Sequence, residues 1–96
     1  MVFEDPELMS FMDLNPQAPV HLLVVPKLHI PSMLTSNVMH MGLLGKMLLV
    51  AKDLAVKYKC QDGFRLVINT GPKAGMTVDH VHMHLLSGRQ MNWPPG

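Results

Sequence analysis

Between Leu44 and Tyr58 the apolar residues recur at i, i+3 and i+4, so that Leu44, Met47, Leu48, Ala51, Leu54, Ala55 and Tyr58 share one helical face. Lys46, Asp53 and Lys57 mark the opposite side, but Leu43, Leu49, Val50 and Val56 flank them and leave only a narrow polar stripe. Ser36 or Asn37 supplies a cap, and the pattern predicts a helix from there to about Lys59. A helix that is apolar almost all round must be covered on more than one side. A chain of 96 residues builds one thin core in one domain, residues 1–96. The second cover is therefore expected from another copy, and a symmetric dimer using this helix is predicted. Only 16% of the residues are charged, which fits a surface partly covered by a partner.

Around the helix the period changes to two. Residues 8–13 read as a short strand, Asn15–Pro19 as a turn whose two prolines fix φ, and Val20–Val25 as a second strand stopped by Pro26. Their spacing predicts a hairpin. Lys27–Ser36 is a loop, because Pro31 forbids an early helix. After the helix, Cys60–Gly63 is a turn and Phe64–Asn69 a third strand. Thr70–Met76 is a glycine-containing loop, Thr77–Leu86 a fourth strand, and Ser87–Gly96 a polar tail. This order predicts an α+β fold, an antiparallel sheet with one long helix packed on it.

Composition excludes several functions. A net charge of +1 argues against non-specific nucleic-acid binding, which needs a strong basic patch. No apolar run approaches the roughly 18 residues that span a bilayer, so no membrane role is expected. The N-terminal residues Glu4, Asp5 and Glu7 are not those of a signal peptide, and the single cysteine, Cys60, fits a reducing compartment. The expected location is the cytoplasm, with nucleus or organelle not distinguished. The ten methionines read as adaptable core filler.

The chemistry lies in the fourth strand, His80-Val81-His82-Met83-His84-Leu85-Leu86. Strand alternation sends His80, His82 and His84 to one face and Val81, Met83 and Leu85 to the other. The apolar face packs on the helix. Three imidazoles would each need a partner in a core, so their face is expected to border a pocket or solvent. Two chemistries fit: zinc ligation by alternate histidines, or nucleophilic attack by a neutral imidazole with its neighbours handling protons. Just upstream, Asn69-Thr70-Gly71-Pro72-Lys73-Ala74-Gly75-Met76-Thr77 brings backbone donors, an amide and a hydroxyl beside the row, a set better suited to phosphate than to a metal.

The row resembles the histidine triad pattern, His-φ-His-φ-His-φ-φ with φ apolar, and the resemblance extends along nearly the whole chain. Phe11–Pro19 is similar to that family's ribose and base segment, Val25-Pro26-Lys27-Leu28-His29-Ile30 to its Pro-Lys-x-His-Ile stretch, and Gly88–Gly96 to the ending of its Hint branch. The resemblance implies a HIT-like fold and a homodimeric purine nucleoside phosphoramidase that needs no cofactor and no metal. Its ligands would be purine nucleoside monophosphates and phosphoramidates. His82 would attack the α-phosphorus and form a nucleotidyl-histidine that water hydrolyses to AMP. His84 would hold phosphate oxygens, His80 would orient His82 through its carbonyl, and His29 would assist proton traffic. Asn69, the backbone of Gly75 and Val78, and the Thr77 hydroxyl would surround the phosphate. Asp13 would take the ribose hydroxyls, Phe11 and Leu14 would line the base pocket, with Phe3 a further candidate, and Trp93 would reach the partner subunit's site.

Some features depart from that pattern. Hint proteins carry a further helix and strand before the segment matching Val2–Asp5, so the fold is expected without them, with part of the base pocket and one strand affected. Thr77 stands where Ser is usual, which keeps the hydroxyl. His21 and His40 read as structural or surface residues, Arg89 as a solvated tail charge, and Lys73 as a loop cation away from phosphate. The alternative readings are a dinucleoside polyphosphate hydrolase, against which Gly88-Arg89-Gln90-Met91 argues, a nucleotide-binding adaptor with little catalysis, and a zinc protein using the three histidines.

Overall fold

A computed structural model describes all 96 residues. The chain runs β1 (Phe3–Glu4), β2 (Leu8–Met12), β3 (Val20–Pro26), α1 (Met41–Lys57), β4 (Phe64–Val67) and β5 (Met83–Ser87). The strands form one five-stranded sheet in the order β1-β2-β3-β5-β4, every neighbouring pair antiparallel. The expected α+β architecture, an antiparallel sheet under one long helix, is the one found. None of its helices is long and apolar enough to cross a membrane.

The core fills the space between α1 and one face of the sheet. Met47, Val50, Ala51, Leu54 and Ala55 of the helix meet Leu8, Leu22, Val24, Met83 and Leu85 of the strands, with Ile30, Cys60 and Val81 closing the edges. Several of these are fully buried, and each large side chain so placed stabilises the fold by about 1.5–3 kcal/mol. Register carries this alternation from strand to strand: Ser10, Val24 and Met83 pair in one row beneath the helix. The next row, Phe11, Leu23, His84 and Val67, crosses four strands on the opposite, helix-free face. The only buried side-chain polar atom without a partner is the Ser10 hydroxyl.

Four expectations are corrected. The fourth strand does not start at Thr77 but at Met83, so His80 and His82 precede it. Their backbone is taken up elsewhere: Val81 N–H donates to the Ile30 carbonyl, and His80 N–H to that of Val78. Val81, Met83 and Leu85 are nonetheless all buried, so the alternation survives where the ladder does not. The helix starts at Met41, because Asn37 caps a separate 3-10 turn, Val38–His40, and Ser32 caps another at Met33–Thr35. Within α1, Leu48 is half exposed and Val50 is buried, the reverse of their assignment by periodicity. The third strand ends at Val67, short of Asn69, and the two-residue β1, absent from the sequence reading, pairs with β2 through Phe3 and Ser10.

Lys46 ties the helix to the β1–β2 connection, 2.6 Å from Asp5 and 2.7 Å from Glu7. The Lys46 ammonium, with the Glu7 and Leu8 amides, holds the Asp5 carboxyl down to about 2. Gly88, at φ +95°, must be glycine, since a Cβ there would lie 2.8 Å from Cβ of Pro19.

Candidate active site

The helix-free face of the sheet holds a cleft of about 400 Å³. Its floor is Met9 and Phe11 of β2 with Leu23 and Val25 of β3, the side chains that strand alternation turns away from the core. His80, His82 and Val78 form one wall, and Lys27 stands at the rim. The structure thus places the middle histidine of the row against an apolar trough.

Every histidine of the cluster is held by a second group, and for neutral rings these contacts fix which nitrogen carries the proton. His82 Nδ1 lies 2.8 Å from the His80 carbonyl oxygen. A carbonyl only accepts, so Nδ1 carries the hydrogen and Nε2 keeps its lone pair. His80 Nε2 donates in the same way to the Pro26 carbonyl at 2.8 Å. His80 Nδ1 then accepts from His29 Nδ1 at 3.0 Å. On the other side of the site, the Gln17 amide donates to His21 Nδ1 at 3.0 Å. His21 Nε2 must therefore carry its hydrogen, which it donates to His84 Nδ1 at 2.9 Å. That leaves His84 Nε2–H free to donate. The rings of His82 and His84 stand edge to face with centroids 5.2 Å apart. A free base at His82 Nε2 thus sits beside a free donor at His84 Nε2.

Electrostatics sharpen the pair. Burial, then the neighbouring His82 and His21, push the His84 imidazole below its ordinary range, with Asp13 opposing. His84 therefore stays neutral at pH values where a free histidine begins to charge. Asp13 Oδ2 lies 3.5 Å from His21 Nε2, and its Oδ1 accepts from the Asn15 amide at 2.8 Å.

His21 is the residue that sequence reasoning missed. Read as structural, it is 93% buried, since only 7% of its surface is exposed, and is bonded directly to His84. The available signal was its place on β3 at the same parity as Leu23, which pairs with His84. His40, by contrast, accepts from the Asn37 amide in the capping turn, far along the chain from the cleft.

The other expected site residues are distributed as follows. Phe11 lines the cleft; Leu14 is fully exposed and does not; Phe3 is half-buried against the core. Asp13 lines a smaller hollow of about 130 Å³ with His21, at the end of the hairpin away from Lys27. Asn69 is half-buried and Thr77 exposed. In the loop, Gly75 takes a left-handed turn and its amide donates to the Pro72 carbonyl, so it is spent within the loop. The amides of Thr77 and Val78, next to the histidine row, have no protein acceptor and are available as donors. Trp93 is 87% exposed, on a tail whose Asn92 and Pro95 carbonyls accept from the Arg65 guanidinium.

A metal fits this donor set poorly. Across His80, His82 and His84 only His82 Nε2 offers a free lone pair; a shared zinc would break the bonds to Pro26, His29 or His21. Asp13, His21 and His84 bring ligand atoms within 4.8 Å of one another. There, however, His21 Nδ1 already accepts from Gln17, so metal at Nε2 would leave the imidazole proton no place.

Comparison with known proteins agrees with this geometry. The HIT domain model matches residues 1–91. An uncharacterized HIT-like protein of Synechococcus elongatus is 49% identical over the whole chain, which covers 84% of that relative. Adenylylsulfatase HINT1 of Arabidopsis thaliana is 44% identical, again over the whole chain and 67% of its own length. The crystal structure of a HIT family hydrolase from Legionella pneumophila superposes with a TM-score of 0.97 at 47% identity, over 99% of this chain and 86% of that one. With the histidine row, the fold and the match over residues 1–91 in agreement, the chain belongs to the HIT domain family.

Proposed function

We propose that this chain is a purine nucleoside phosphoramidase that cleaves the P–N bond of adenosine 5′-phosphoramidates to AMP through a nucleotidyl-His82 intermediate. The observation that carries the reading is the bond from His82 Nδ1 to the His80 carbonyl, which commits Nε2 as a free base facing the cleft. Membership in a family that includes hydrolases agrees with it.

The steps follow from the tautomers. His82 Nε2 attacks the α-phosphorus, and the P–N bond breaks as the leaving nitrogen takes a proton from solvent and departs with the bonding pair as a neutral amine. Negative charge on the phosphate oxygens is met by His84 Nε2–H and the unpaired amides of Thr77 and Val78. As His84 gives up hydrogen-bond density at Nε2, His21 Nε2–H supports it at Nδ1. Water then attacks phosphorus, and the N–P bond to His82 breaks to release AMP. Asp13 keeps lone pairs for the ribose hydroxyls, and Phe11 offers an apolar surface to the nucleotide.

Hydrolysis of adenosine 5′-phosphoramidate tests the reading. AMP release that a chelator leaves unchanged is the expected result. Release that the chelator abolishes would move the chemistry to a metal; AMP binding without release would make the chain an adaptor.

The second copy belongs to the same proposal. Leu48, Leu49 and Val56 leave an apolar stripe on α1, and Trp93 projects free of its own core. A dimer covers the first and gives the second a partner site. Sedimentation at micromolar concentration should return twice the chain mass, and a monomer would overturn this part.

A further inference from the structure

The cleft continues past His82, away from Asp13, and ends at a cation. Asp13 and His21 stand at one end of β3 and Lys27 follows its other end, roughly 20 Å away at the rise of a strand. With the phosphorus at His82 Nε2 the leaving group departs on the side opposite that nitrogen, into the trough His82 walls, and Lys27 borders the same trough. The walls agree: Val78 and Lys27 border this cleft, whereas Asp13 borders a separate hollow.

Lys27 is the only permanently charged side chain on the cleft's walls. Its backbone is fixed by a bond from its amide to the Glu7 carbonyl at 2.8 Å. Its ammonium lies 2.6 Å from Glu4 Oε2, in a pair whose side chains are 34% and 51% exposed. An ion pair this open is weakly held and readily exchanged for another anion. Glu4 is carried by the two-residue edge strand β1, so it parks the ammonium at the rim.

Resting on the phosphoramidase reading and deepening it, we propose that Lys27 is a specificity-determining residue that favours leaving groups departing as anions. In a mixed anhydride of a nucleoside monophosphate, His82 Nε2 forms its bond to phosphorus while the P–O bond breaks. The sulfate or carboxylate then leaves with the electron pair and needs no proton. A cation at the exit stabilises that charge as it develops. In a phosphoramidate the departing nitrogen must first be protonated, and the same cation opposes it. The Arabidopsis relative is named for adenylyl sulfate, a substrate whose leaving group is anionic. The apolar floor of Met9, Leu23 and Val25 lets an acyl leaving group carry a hydrocarbon part as well.

The experiment compares kcat/KM for adenosine 5′-phosphosulfate and adenosine 5′-phosphoramidate in the full chain and in Lys27→Gln, Lys27→Arg and Glu4→Gln. The ratio of sulfate to amidate substrate should fall about tenfold in Lys27→Gln, as expected for loss of one charge-assisted contact. It should be largely kept in Lys27→Arg and should rise in Glu4→Gln, where the ammonium is released. A ratio unchanged in Lys27→Gln, with both substrates cleaved, overturns the proposal and leaves the phosphoramidase reading standing. If the full chain cleaves neither substrate, the phosphoramidase reading falls, and binding decides Lys27 separately. Adenosine 5′-phosphosulfate bound about tenfold more weakly by Lys27→Gln then supports the role, and equal binding overturns it.

Discussion

Replacing His82 by asparagine should abolish AMP release from adenosine 5′-phosphoramidate, a fall of at least about 10⁴-fold, while AMP still binds. Asparagine suits the test because its amide N–H can replace Nδ1–H as the donor to the His80 carbonyl, 2.8 Å away in the native protein. The local backbone is then kept, and the lone pair at Nε2 is what disappears. No neighbour can substitute for it. His80 Nδ1 accepts from His29, His80 Nε2 donates to Pro26, and His84 presents a donor rather than a base. The measurement is single-turnover release of AMP, with binding of AMP by calorimetry as the control for folding. Retained turnover in His82→Asn would mean that the attacking group is not this imidazole. Retained binding with no turnover would separate positioning of the nucleotide, which the loop amides and Asp13 supply, from the covalent step.

How much of this was legible in the sequence follows from what each signal measures. Apolar period two in Val81, Met83 and Leu85 reported burial, and burial is what the structure shows, even though hydrogen-bonded strand begins only at Met83. Pattern reads which face a residue turns to the core; it does not read where the ladder stops. At His80 the ladder stops because its amide turns back to Val78, two residues away, and Val81 bonds to Ile30 in a loop distant in sequence. The exchange of Leu48 for Val50 on α1 has a similar cause. A helix apolar nearly all round offers no single preferred face, so the sheet chooses among nearly equal ones. The row His80-Val81-His82-Met83-His84 announced the site because three polar rings at period two have no bland use. His21 did not, because a lone histidine between Val20 and Leu22 carries no such signal. Its role appears only when β3 and β5 are brought into register, with Leu23 opposite His84. The cation at Lys27 was legible as a family-like Pro-Lys-x-His-Ile stretch, but its place at the cleft rim depends on Glu4 and on a strand of two residues that no pattern reveals.

Replacing His21 by leucine should lower kcat about 10- to 100-fold with little change in KM, the effect expected when a buried partner that orients a reacting imidazole is lost. In the native protein the Gln17 amide fixes the His21 tautomer, and His21 in turn donates to His84 Nδ1, so that His84 always turns Nε2–H toward the phosphate. Leucine removes that donor. His84 can then invert its tautomer and present a lone pair to an anion. The pH profile distinguishes this from simple loss of stability. His84 is held below its ordinary range by burial first, then by His82 and His21. Its neutral form therefore persists below pH about 6.5, where an unfolded histidine is already half charged. The sign for folding follows: between the depressed value and about 6.5 the unfolded chain binds more protons, so His84 contributes stability above that window and loses it as pH falls through it. Followed by NMR, the His84 ring itself should titrate below about 6.5 in the native protein and move upward in His21→Leu, since one of the groups that hold His84 down has gone. His21→Gln, which keeps an amide N–H able to reach His84 Nδ1, should recover part of kcat. A His84 titration that stays in place in His21→Leu, with kcat tracking only the loss of folded protein in thermal melts, would reduce His21 to a packing residue.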